Sequence, residues 1–153
     1  MLLSNHKKSL LLFVQYKDSS LKKIFPYTLL KHWVKVALYS SAILTIRFVD
    51  IIEGQKLNYN YRKKKYATNI LTFVYSKKNK PIHADLVLCV DVLQFEIKKY
   101  NKIIEEHVAH LIIHGILHAQ GYCHKTTIEA NKMKKIEIKL LKILNISNPY
   151  NNY

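Results

Sequence analysis

Three histidines fall in one short stretch, His114-Gly115-Ile116-Leu117-His118-Ala119-Gln120-Gly121-Tyr122-Cys123-His124, and their spacing suits metal chemistry. In a helix, His114 and His118 lie on one face a turn apart. Gly121 ends such a helix and lets the chain double back, bringing His124 toward the same point. Three imidazoles leave one tetrahedral position open, as a catalytic zinc site requires. A lone helical histidine pair is ordinarily surface or packing. Here the third histidine beyond the glycine, and the apolar run Val108 to Leu117 that would wall the site, favour a metal-dependent hydrolase. The zinc-protease helix is a poor match, because it needs Glu as general base directly after the first histidine and this chain has Gly115.

Other titratable residues are weaker candidates. His107 and His110 share a similar helical face with His114, but three ligands suffice for an open zinc site. They stay outside the ligand set, His110 as a group that could hydrogen-bond a ligand from behind. His83 reads as a loop residue, and Asp85 as an orienting group near the site or a strand-end cap.

The chain has 153 residues, within one domain's usual length, and 49% are hydrophobic with only three glycines and three prolines, which excludes a disordered chain. Its 25 Lys+Arg against 10 Asp+Glu give a net charge of +15. Such a balance points to a polyanionic partner, nucleic acid before an anionic membrane. The abundance of Lys, Asn, Tyr and Ile also fits an AT-rich coding bias, which inflates the lysine count. Cys89 and Cys123 are too few for a disulfide framework, so no disulfide partner is expected. The apolar run Leu10 to Val14 is too short to span a membrane and lacks a small-residue cleavage site after it. A cytoplasmic protein is expected, with no membrane partner.

Elements that could position the histidines follow from periodicity. Strands are predicted at Leu10–Tyr16, Ala42–Asp50, Asn69–Tyr75 and Ala84–Val90, the last two separated by Lys77-Lys78-Asn79-Lys80-Pro81. Helices are predicted from Pro26 to Leu38 and over Thr127–Leu144, where Ala130, Met133, Ile136, Leu140 and Leu141 form a packing stripe. Gly54 to Arg62 reads as a short helix or turn, and one continuous helix from about Glu96 through Leu117 carries the first two metal histidines, His114 and His118. The expectation is an α/β (α+β) fold: a small mixed sheet of about four strands layered with helices, one domain over residues 1–153, the metal site on a helix of the C-terminal half and its following turn.

The histidine stretch resembles the pattern His-Gly-x-Leu-His-x-x-Gly-Tyr-Asp-His of the YbeY endoribonucleases, the bacterial rRNA maturation factors. Ile46-Arg-Phe-Val-Asp50, Leu57-Asn58 with Tyr61-Arg62, Thr68-Asn-Ile-Leu-Thr-Phe73 and Ala84-Asp-Leu-Val-Leu-Cys89 look like that family's other signatures in order. Met133, Glu137 and Asn148-Pro149-Tyr150 resemble its C-terminal pattern. The resemblance covers about Ile43 to Tyr150. It implies one zinc ion per chain on His114, His118 and His124, and single-strand-specific endoribonuclease activity. The implied role is maturation of the 3′ end of 16S rRNA and ribosome quality control, with RNA and the small ribosomal subunit as partners. It also implies that Arg62 matters for activity. Cys123 departs from the family's Asp: it either replaces a dispensable carboxylate or competes with His124 as a thiolate ligand.

Phosphodiester cleavage develops negative charge on non-bridging oxygens, and the Arg62 guanidinium is the candidate to stabilise it. The attacking group is a zinc-activated water or the RNA's own 2′-OH. Lys63, Lys64 and Lys65 would attract phosphates without reading sequence. Tyr59, Tyr61, Tyr66 and Tyr75 interleave with this cluster in a composition suited to stacking bases. The alternative is a non-catalytic RNA-binding ribosome-assembly factor with a structural or lost metal site.

Overall fold

The structure is a computed structural model that describes residues 8–77 and 80–151. The N-terminal residues before Lys8, and Lys78 and Asn79 of the lysine-rich connection, lie outside the described residues. Along the chain run β1 (Leu10–Tyr16), α1 (Leu21–Ile24), α2 (Tyr27–Ala37), β2 (Ala42–Val49), α3 (Ile51–Arg62), β3 (Ile70–Val74), β4 (Ile82–Cys89), α4 (Val90–Lys99), α5 (Ile104–Ala119) and α6 (Thr127–Ile143). The strands form one sheet in the order β1-β2-β4-β3. β1, β2 and β4 are parallel, and β3 runs antiparallel to β4. The mixed sheet and all four strand assignments are borne out.

Strand alternation divides the core in two. Leu12, Leu44, Ile46, Phe48, Ala84, Leu86 and Leu88 face one side, where they pack with α2, α5 and α6. Val49, Leu71, Val87 and Cys89 point the other way into a smaller cluster with Leu57 of α3 and Val92 of α4. Two-sided burial explains why β4 reads as a nearly continuous apolar run rather than an alternating one. α5 lies innermost among the helices on the larger side: Val108, Ala109, Ile112, Ile113, Ile116 and Leu117 are all fully buried. Gly115 permits its close approach to the sheet. A Cβ there would lie 2.7 Å from Leu86 Cδ2, 3.1 Å from Thr72 Oγ1 and 3.2 Å from Ile70 Cδ1.

Three expectations need correction. The single helix from Glu96 to Leu117 is two helices, broken at residues 100–103. Asn101 takes a left-handed conformation, φ 51°, and the amides of Tyr100 and Lys102 close back on Glu96 and Ile97, so the first helix terminates without glycine. α3 begins at Ile51 rather than Gly54, because Asp50 caps it by accepting from the Glu53 amide at 2.9 Å. His83 is an exposed residue of β4, not a loop residue.

Candidate active site

α5 ends at Ala119 because the Gln120 and Gly121 amides fold back onto carbonyls of the last turn. Gly121 has φ 100°, a conformation that favours glycine. The chain then reverses as the histidine spacing requires. His124 comes back over α5, its ring centre 5.5 Å from that of His114 and 6.3 Å from that of His118. All three rings line a pocket of about 640 Å³. Its other walls come from the end of α3 (Tyr61 and Arg62), from residues 68–72, and from Tyr150.

His114 is held from behind. Its Nδ1 lies 2.6 Å from Glu137 Oε1, and His110 Nε2 lies 2.8 Å from Glu137 Oε2. The Tyr150 hydroxyl donates to the same Oε2. Glu137 is 1% exposed. Burial alone would raise its pKa, but the hydrogen bonds from His110, His114 and Tyr150 outweigh that and hold it at about 2. An ionised carboxylate only accepts, so His114 donates to it through Nδ1, and Nε2 is the ring nitrogen that Glu137 does not engage. Partial withdrawal from water lowers the His118 pKa, opposed by a hydrogen bond with the Tyr122 backbone and reinforced by His114, His124 and Lys125.

Would these residues suit a zinc ion? Among the described residues no group of three His, Cys, Asp or Glu side chains is gathered closely enough to hold a metal as it stands. Tetrahedral ligation with Zn–N near 2 Å places imidazole centres about 5 Å apart. The His114–His124 separation of 5.5 Å is near that value, and the 6.3 Å between His118 and His124 is wider. His124 is exposed and follows a glycine turn, so the wider gap lies beside the least constrained ring. The donor chemistry fits: one imidazole has an Nε2 that Glu137 does not engage, and another is biased toward its neutral form.

Arg62 lies on the last turn of α3 and lines the same pocket. Lys63, Lys64 and Lys65 do not line it; they follow on the adjoining surface, all exposed. Lys63 adopts φ 59° and sets its Nζ 5.6 Å from the Tyr59 ring centre. Lys65 lines a neighbouring hollow with Ile52, Gln55, Lys56 and Tyr59. Buried Asn58 supports this loop by donating to the Tyr66 carbonyl at 2.6 Å. Tyr61 reaches the pocket, whereas Tyr75 is hydrogen-bonded to Asp85 beyond the other end of β3, so Asp85 is not a pocket residue. Cys123 lines the pocket, but its thiol donates to Glu129 Oε2 at 2.8 Å. Glu129 belongs to the capping box of α6.

One residue of the pocket wall, Lys125, and one buried behind it, Glu137, escape a reading of the sequence. Lys125 follows His124 directly and lines the pocket, but belongs to no motif that marks it in sequence. Glu137 was noted only as part of a C-terminal pattern, although it interrupts the stripe Met133, Leu140, Leu141 where a carboxylate needs buried partners.

The fold and pocket define a class: an α/β protein that gathers imidazoles and cations around one concavity beside a mixed sheet. Comparison with known proteins narrows that class. The family model described as Endoribonuclease YbeY matches residues 8–145. An Endoribonuclease YbeY of Janthinobacterium sp. (strain Marseille) is 49% identical over 148 residues, covering 95% of this chain and 97% of that one. One from Herminiimonas arsenicoxydans is 48% identical over 151 residues, with 94% and 97% covered. The solution structure of TM1509 from Thermotoga maritima shares the fold, with a TM-score of 0.56 at 21% identity over 92% of this chain and 99% of that one. The chain belongs to the YbeY endoribonuclease family.

Proposed function

We propose that this chain is a zinc-dependent, single-strand-specific endoribonuclease that matures the 3′ end of 16S rRNA and serves ribosome quality control. Family membership supports an enzyme cleaving RNA phosphodiester bonds, and the non-catalytic assembly-factor reading is set aside on that ground. The observation that carries the zinc-dependent reading is the convergence of His114, His118 and His124 on a pocket that also takes in Arg62.

In this reading His114, His118 and His124 hold one zinc ion per chain. When bound, the ion supplies Lewis acidity toward a phosphodiester and makes water available as a nucleophile near neutral pH. The chain's own side chains do the rest. Glu137 fixes the His114 tautomer. Arg62 presents a planar, permanently charged fork to the phosphate oxygens as negative charge develops on them. Lys125 at the pocket, with Lys63, Lys64 and Lys65 beside it, raises the local concentration of RNA. Exposed Tyr59 and Tyr61 offer stacking faces next to those cations, suited to unpaired bases.

The same reading places the chain in the cytoplasm with the small ribosomal subunit, as one domain over residues 1–153. Among the described residues no helix is long and apolar enough to cross a membrane.

The test is cleavage of a single-stranded RNA by rigorously purified wild type and His118→Ala. The substitution should abolish cleavage while RNA affinity largely persists. Undiminished cleavage by His118→Ala would overturn the assignment.

A further inference from the structure

We infer that Glu137 and Tyr150 are positioning residues for His114, so that docking of the segment Asn148–Tyr150 and metal binding form one coupled equilibrium. The inference rests on the metal-centre reading above.

Position 137 lies in the apolar stripe of α6, between buried Met133 and buried Leu140 and Leu141. Packing alone calls for an aliphatic side chain there. Burying a carboxylate instead is unfavourable unless its oxygens are matched. Here they are, by donors from two further parts of the chain: His110 and His114 of α5, and Tyr150 beyond α6. One result is a His114 ring whose Nε2 is left for a metal. Carboxylates that hold a ligand imidazole in this way also raise its basicity.

Tyr150 has its own supports. Its amide donates to Asn148 Oδ1 at 2.8 Å, and its ring stands edge-on to His110 with centres 5.4 Å apart. Lys134 Nζ sits 5.1 Å from its ring centre. The segment therefore reaches the carboxylate oxygen that His114 does not use, and its Tyr150 forms part of the pocket wall. If the docked segment raises metal affinity, bound metal must favour the docked segment by the same factor.

Zinc affinity is measured by chelator competition for wild type, Glu137→Gln, Tyr150→Phe and His114→Ala, with thermal unfolding of each metal-free chain and hydrogen exchange at the Tyr150 amide. Glu137→Gln should bind zinc about 10- to 100-fold more weakly. Tyr150→Phe should lose roughly 3- to 10-fold, the equivalent of one hydrogen bond. Zinc should slow exchange at the Tyr150 amide in wild type and less so in Tyr150→Phe. If Glu137→Gln does not fold, Tyr150→Phe decides. Wild-type affinity in the folded Glu137 and Tyr150 variants, with zinc lost in His114→Ala, overturns the inference and leaves the metal centre standing. A wild type that takes up no zinc overturns both.

Discussion

His114 has two nitrogens with separate duties, and the distinction organises the chemistry at the residue scale. Nδ1 is committed to Glu137, and Nε2 is what remains for the pocket. The sequence made His114 legible because a helical pair and a glycine turn are local patterns. Glu137 was not legible as its partner, because it lies 23 residues from His114 and 27 from His110, and no local periodicity joins them. Its carboxyl is held at about 2 against an ordinary 4.5. A carboxyl depressed by folding stabilises fully above its unfolded pKa, and that contribution is lost as pH falls toward the folded value. Between pH 4.5 and 2, wild type should therefore lose on the order of 3 kcal/mol relative to Glu137→Gln, as read by denaturant unfolding across that range. Parallel acid profiles for the two chains would contradict it. Arg62 is the other residue-scale claim. Arg62→Ala should lower the single-turnover cleavage rate about 10²- to 10³-fold, and Arg62→Lys should recover only part of it because an ammonium lacks the planar fork. Equal rates for Arg62→Lys and wild type would remove the guanidinium from the chemistry.

At the scale of elements, α5 is placed by the absence of a side chain. Gly115 reads from sequence only as the residue that is not Glu; in the fold it faces Leu86, Thr72 and Ile70 at distances that leave no room for a side chain. Gly115→Ala gains about 1 kcal/mol of helix propensity but overpacks at a cost of about 1–3 kcal/mol. The net effect should be destabilising, and Gly115→Val, without that propensity gain, should unfold several degrees lower in a thermal melt. An unchanged melting temperature for Gly115→Val would contradict the contact. α6 is held at its start by Thr126 and Glu129; Thr126→Ala should cost about 1 kcal/mol, seen as a lower urea midpoint with unchanged slope. The extent of α6 was legible to within a residue from the helical spacing of its apolar stripe. The break between α4 and α5 was not. It depends on Asn101 adopting positive φ, with neither Gly nor Pro to mark it and apolar residues on both sides.

Across the whole molecule, the +15 charge and the pocket belong together only through topology. Arg62 is 52 residues from His114 in sequence; the two meet because α3 leads into β3, and β3 lies against α5. Family resemblance singled out Arg62, but spacing alone had no means of placing it near the histidines. The exposed lysines after it are a long-range electrostatic surface rather than pocket groups. Replacing Lys63, Lys64 and Lys65 together by Ala should weaken single-stranded RNA binding and reduce the slope of log affinity against log salt by about 2, with little change in the cleavage rate of bound RNA. An unchanged salt slope would mean that RNA tracks another face.

The central claim is that zinc at the three histidines supports cleavage. The most direct measurement strips the purified chain of metal with a chelator, removes the chelator, and follows cleavage of a single-stranded RNA as zinc is titrated back. Activity should be absent in the stripped chain and should rise to a plateau at about one zinc per chain, the stoichiometry of a three-ligand site. Full activity in the stripped chain, verified metal-free, would contradict the account.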